Sequence, residues 1–187
     1  MPTPKILAFA GSSRRESYNR KFLDIAVAET RAAGAEVTLL NLADFPLPLF
    51  NGDLEDAEGM PGPAAKLVEL IRGHPGLLIA SPEYNSLITP LLKNTLDWCS
   101  RAEENPFIGK VAGVISASPG PFGGVKSGLA TRQVLARLGC LVIAVECTLP
   151  LAHEAFDDRG ALKNPRPLNS VKAVAAELVR ATAKLNS

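Results

Sequence analysis

The sequence predicts an α/β fold: a three-layer sandwich in which helices cover both faces of a five-stranded parallel sheet of order 2-1-3-4-5. Three observations predict it. Short apolar runs at residues 6–10, 77–80, 111–116 and 141–145 have Gly, Pro or Ser close by and do not alternate with polar residues. Runs of that kind suit strands buried on both faces. Segments of helical spacing separate them, and such alternation specifies a parallel sheet with right-handed crossovers. The 187 residues suffice for a full hydrophobic core, and residues 1–187 read as a single domain without repeats.

The elements follow in chain order. The first strand, 6–10, leads into a helix whose apolar face carries Leu23, Ala26, Val27 and Thr30, and Gly34 supplies its stop. The second strand, 36–40, alternates in part and belongs nearer an edge. Residues 41–62 are Pro-rich and read as one long irregular loop, a type that is usually functional or interfacial. A helix at 63–72 precedes the third strand at 77–80. The next helix, 89–101, tolerates Pro90 at its first position. Strand 111–116 is followed by helix 124–138, closed by Gly139, and by the fifth strand at 141–145. The last helix shows a stripe of Val171, Val174, Ala175, Leu178, Val179 and Thr182.

Composition excludes several classes. Twenty Lys+Arg balance 19 Asp+Glu, for a net charge of +1. A strongly basic nucleic-acid binder and an acidic disordered tail are both excluded. The 47% apolar content excludes intrinsic disorder. Cys99, Cys140 and Cys147 form no C-x-x-C pair, which argues against a disulfide scaffold, a zinc site or an iron–sulfur site. They are expected as buried thiols in a reducing compartment. The opening apolar run, residues 6–11, is too short for a signal segment or a membrane span. A soluble cytoplasmic protein with no membrane and no nucleic-acid partner is expected. His74 and His153 stand in no catalytic spacing; His74 is expected as a solvated cap at a helix end, and His153 as a surface residue.

Ligands of open parallel sheets bind outside the carboxyl ends of the strands, and three segments there stand out. The first, residues 11–19, reads GSSRRESYN and opens a helix. Helix N-termini favour anions. Ser12, Ser17 and Asn19 can donate to phosphate oxygens, and Arg14 adds a charged fork. The pattern is neither G-x-G-x-x-G nor G-x-x-x-x-G-K-[ST], so it points to a monophosphate cradle; alternatively, Ser17 or Asn19 merely caps the helix. The second segment is Ser81-Pro82-Glu83-Tyr84-Asn85, with LLKNTLDW following at 91–98. Pro82 fixes the chain as it leaves the sheet. The backbone amides of Glu83, Tyr84 and Asn85 can face a flat heterocycle, and Tyr84 can stack on it or close the pocket against a second subunit. Asp97 and Trp98 read as packing residues. The third segment, 116–124, places Ser116, Ser118, Gly120 and Gly123 in a tight Gly- and Pro-rich turn with exposed donors.

On GSSRRESYN (11–19), PEYN…LLKNTLDW (82–98) and SPGPFGG (118–124), the chain resembles the NADPH-dependent FMN reductase family, over residues 5–185. That family includes quinone, chromate and azo-dye reductases. The resemblance implies a flavodoxin-like fold, FMN as cofactor and NADPH or NADH as co-substrate. It implies phosphate binding by Ser12, Arg14, Ser17 and Asn19, a flavin-ring border at Pro82, Glu83, Tyr84 and Asn85, and a third wall at Ser116, Ser118, Gly120 and Gly123. No side chain is implied as an acid–base catalyst, because the chemistry belongs to the flavin. A small-molecule acceptor, quinone-like, reduced in a ping-pong cycle, and a homodimer or homotetramer are further implications. The chain has Thr89-Pro90-Leu91 where many relatives carry Pro-Gly, and Lys126 where some chromate-reducing relatives carry Arg at an interchain contact. The alternative is a flavodoxin-like electron carrier or a flavin-binding redox sensor without small-substrate turnover. Carriers are usually strongly acidic, and the balance of charge here weighs against one.

Overall fold

The computed structural model describes residues 3–185. Its elements are β1 (Lys5–Ala10), α1 (Tyr18–Ala32), β2 (Glu36–Leu40), α2 (Gly52–Glu58), α3 (Gly62–Arg72), β3 (Gly76–Ala80), β4 (Glu83–Tyr84), β5 (Leu87–Ile88), α4 (Pro90–Cys99), β6 (Val111–Ala117), α5 (Val125–Arg137), β7 (Leu141–Val142), β8 (Cys147–Leu149) and α6 (Pro165–Leu185). The main sheet runs β2-β1-β3-β6-β7, with β8 also on β6, and all of its pairings are parallel. This is the expected 2-1-3-4-5 order of a flavodoxin-like fold.

Strand side chains alternate between two cores. Ile6, Ala8, Leu78 and Ile115 face α1 and α6, meeting Phe22, Leu23, Val174 and Leu178. Leu7, Phe9, Ile79 and Val114 face the other way, onto Leu67 and Ile71 of α3, Leu92 and Leu96 of α4 and Leu135 of α5. Strands covered on both faces need no polar side, which is why they read as unbroken apolar runs. Among the described residues, no helix is long and apolar enough to cross a membrane.

Three features depart from expectation. The fifth strand is two short pieces: β7 pairs with Val111 and Ala112, and β8 pairs with Ile115 to Ala117. Between them Ile143 N still donates to Ala112 O at 2.9 Å while its side chain packs in the α1–α6 core, and the chain bends out of the ladder at Ala144. Residues 41–62 are not wholly irregular either. Asn41 caps a 3₁₀ turn at Leu42–Asp44, and Asn51 caps α2. The segment is tied to α4: Phe50 N–H donates to Asn94 Oδ1 at 2.8 Å, while Asn94 Nδ2 and Trp98 Nε1 both donate to the Pro48 carbonyl, at 2.9 and 2.8 Å. Third, His74 is not a solvated cap. Its ring bridges Leu70 O (2.6 Å) and Thr38 Oγ1 (2.8 Å) and joins the end of α3 to β2.

Candidate functional site at the carboxyl edge of the sheet

β1 and β3 are neighbours whose following segments diverge, the topological switch point at which open α/β sheets bind ligands. The loops after β1, β3 and β6 meet there.

In the first loop, Ser12 and Ser17 are buried and use their oxygens inward. Ser12 Oγ accepts from Arg14 N at 3.3 Å, and Ser17 Oγ accepts from Arg20 N at 3.4 Å as the N-cap of α1. Capping and anion binding are therefore compatible at Ser17: each hydroxyl keeps its hydrogen to donate. Arg14 is exposed, and its guanidinium makes no hydrogen bond or ion pair among the described residues. The first-turn amides of α1 have no partner within their own helix. Glu16, the one carboxylate of the loop, is turned to Lys21 at 2.8 Å, which holds its pKa below the ordinary value. Hydroxyls, a guanidinium and helix-end amides make a donor set that fits a phosphate monoester such as that of FMN.

Asn19 is placed differently from the other three. It is 3% exposed, with Nδ2 donating to Ala117 O at 2.7 Å and Oδ1 accepting from Ala117 N at 2.9 Å. It clamps the first loop to the end of β6. Thr89 makes the other tie: its hydroxyl donates to Gly11 O at 2.6 Å and accepts from Leu92 N, capping α4.

Pro82 lies at the end of β3, and its carbonyl accepts from Ser127 Oγ at 2.7 Å. Residues 83–88 form a hairpin that was not anticipated, with Glu83 opposite Ile88 and Tyr84 opposite Leu87. Its two-residue turn, Asn85-Ser86, has φ of +50° and +70°, the left-handed pair of a type I′ turn. The signal was weak because Ser replaces the usual Gly. Tyr84 is half-exposed, available to a ligand or a neighbouring chain. The Glu83 side chain turns instead to α5: Oε2 accepts from the amides of Lys126 and Ser127, at 3.1 and 3.2 Å.

The third loop is held by its own side chains. Ser116 Oγ donates to Gly123 O at 2.8 Å, and Ser118 Oγ accepts from Gly120 N at 3.1 Å. Gly123 sits at φ +61°, and a Cβ there would lie 2.7–2.9 Å from the backbone of Leu149 and Pro150. Leu151 N donates to Gly120 O, binding this loop to the segment after β8.

Burial pushes the thiols of Cys99 and Cys140 up to about 12 and that of Cys147 to about 11, so none supplies a thiolate at neutral pH. Among the described residues, no group of three or more His, Cys, Asp or Glu is placed to hold a metal ion. Among the described residues, His153 pairs only with the adjacent Glu154, at 3.1 Å. Concavities flank the site. One of about 240 Å³ lies beside Ser12, lined by Arg20, Asp24, Asn41 and Asp44. A more apolar groove of about 700 Å³ runs between α4 and α5, with Leu87 and Ile88 of the hairpin as one wall.

Known proteins resemble this chain in sequence and fold. A family model described as NADPH-dependent FMN reductase matches residues 4–154. An NAD(P)H-dependent FMN reductase of Pseudomonas aeruginosa is 36% identical over 159 residues, 84% of each chain. A quinone reductase of Escherichia coli K12 is 33% identical over 140 residues, 74% of this chain and 73% of its own. Among solved structures, the flavoenzyme NAD(P)H:(acceptor) oxidoreductase FerB of Paracoccus denitrificans superposes with a TM-score of 0.84 at 25% identity, over 97% of this chain and 98% of its own.

Proposed function

The chain belongs to the NADPH-dependent FMN reductase family, and from that membership we propose that it passes two electrons from NAD(P)H through bound FMN to a quinone-like or other small acceptor, in a ping-pong cycle. FMN, when bound, supplies the hydride-accepting centre; the protein supplies binding, orientation and electrostatics. Ser12, Arg14, Ser17 and the first-turn amides of α1 hold the phosphate. Asn19 sets the loop against β6 rather than adding a donor of its own. The backbone at Pro82, Glu83, Tyr84 and Asn85 borders the ring, and the loop bearing Ser116, Ser118, Gly120 and Gly123 walls its far side. Amides of these two loops stabilise negative charge on the reduced ring.

The observation that carries this reading is the first loop. It gathers hydroxyls, the Arg14 guanidinium and helix-end amides, its one carboxylate, Glu16, is paired with Lys21, and buried bonds from Asn19 and Thr89 tie it to the other two loops. Residues 1–187 are read as one FMN-binding domain whose three loops build a single flavin site, at which donor and acceptor use the same flavin face in turn. That is the physical basis for the ping-pong order. We also propose a homodimer or homotetramer, supported by the exposed apolar side chains of Leu87, Leu129 and Leu141. The near-neutral charge weighs against a charge-docked electron carrier.

The test is the purified protein itself. Flavin absorption bands, quinone-dependent NADH or NADPH oxidation and parallel double-reciprocal lines are expected. Protein that takes up no FMN would end this reading. FMN uptake without turnover of any quinone would favour the carrier or sensor.

A further inference from the structure

We propose that Glu83 is a positioning residue for the segment bordering the flavin ring, acting through its side chain as the N-terminal cap of α5. The inference rests on the FMN reading above and assigns Glu83 a task beyond its backbone.

Helix α5 begins after Gly124, which sits at φ +81° and has no side chain with which to cap. The first-turn amides of a helix lack intrahelical partners. Here Glu83, 43 and 44 positions earlier in the chain, takes two of them on one oxygen. A carboxylate is favoured there by the partial positive charge of the helix end. The remaining polar bonds converge on the same place. Ser127 Oγ donates to Pro82 O. Ser81 Oγ lies 2.6 Å from Ser127 Oγ and 2.7 Å from Thr131 Oγ1. Lys126 Nζ donates to Ser86 Oγ at 3.1 Å.

Residues 81–86 are thus hung from the first two turns of α5. The hairpin has only two residue pairs, and a two-stranded ribbon of that size does not hold its own position in water. Its geometry is borrowed from the helix, and Glu83 is the one charged group in that attachment that reaches the helix amides. A displaced hairpin would move the amides of Tyr84 and Asn85 relative to the ring.

The experiment compares wild type with Glu83→Ala, Glu83→Gln and Glu83→Asp. FMN affinity is read by flavin fluorescence, the bound flavin by its visible spectrum, and the cap by hydrogen exchange at the amides of Lys126 and Ser127 in the FMN-free protein. Glu83→Gln keeps an acceptor oxygen at the same reach but loses the charge that the helix end favours, and is expected to fall between wild type and Glu83→Ala. Glu83→Ala is expected to lose protection at both amides, shift the flavin spectrum and weaken FMN binding about five- to tenfold. Should Glu83→Ala not fold, Glu83→Asp makes the same test, because the shorter side chain keeps the charge but loses the reach. Wild-type affinity and spectrum in Glu83→Ala, or in Glu83→Asp where the alanine variant is unfolded, would overturn the proposal. So would damage in Glu83→Gln equal to that in Glu83→Ala. If wild type itself takes up no FMN, the functional reading fails, and this inference fails with it by a distinct result.

Discussion

At the scale of single residues, a side chain's direction decides its role. Arg14 is exposed and has no partner among the described residues, so its removal leaves the fold untouched. Arg14→Ala is expected to weaken FMN binding by about 1.5–3 kcal/mol, the worth of a charged hydrogen bond, with stability unchanged. Titration with FMN and urea unfolding of the same variant check both halves. Asn19 should behave in the opposite way. Its amide satisfies both backbone groups of buried Ala117, and Asn19→Ala is expected to cost about 2–3 kcal/mol of stability in urea unfolding, because buried polar groups are left unpaired. The role proposed for the serines and Arg14 can be read from the sequence because a phosphate cradle is local: several donors within one loop at a helix start. The tasks of Asn19 and Glu83 were not, since their partners lie 98 and 43 positions away. No spacing rule reaches across that distance.

At the scale of elements, burial and capping explain what could be foreseen. Strands β1, β3 and β6 announced themselves as apolar runs because both faces are covered. Helices α1 and α4 announced their starts through Ser17, Thr89 and Pro90. The β4–β5 hairpin escaped notice because two residue pairs are too few to show a period and the turn lacks a Gly. Ser86→Gly supplies the residue that a type I′ turn favours. It should raise stability by about 0.5–1 kcal/mol, less the weak exposed bond from Lys126, as thermal unfolding would show. Gly123→Ala should do the reverse. The left-handed backbone and the crowding against Leu149 and Pro150 together predict a loss of about 2–5 kcal/mol, measurable by denaturant unfolding. The division of the fifth strand also eluded the sequence: 141–145 is apolar enough for one strand, but Ile143 is drawn into the core on one side. Residues 41–62 stand out in the sequence by length and Pro content, whereas their capped turns and their attachment to Asn94 and Trp98 depend on tertiary packing.

At the scale of the whole molecule, the three buried thiols link folding to pH. Burial raises each from its ordinary value of 9.0, to about 12 for Cys99 and Cys140 and about 11 for Cys147. Below pH 9 the folded and unfolded chains both keep these protons, and the thiols add no pH dependence. Above it the unfolded chain releases protons that the folded chain retains, so stability falls as pH rises toward 11. Each thiol contributes a slope of at most about 1.4 kcal/mol per pH unit. Urea unfolding at a series of alkaline pH values should show this fall, and Cys99→Ala should make it shallower. The strand order was foreseeable at this scale because strand and helix alternate and the crossovers have one hand. The sheet's two rims carry a further consequence. One rim is β2, five residues that begin with Glu36; the other is split into pieces of two and three residues. Neither offers a long, flat row of free amides and carbonyls for a second chain to extend. The bend at Ala144 that divides the fifth strand is therefore also a safeguard against edge-to-edge aggregation when the protein is concentrated or heated.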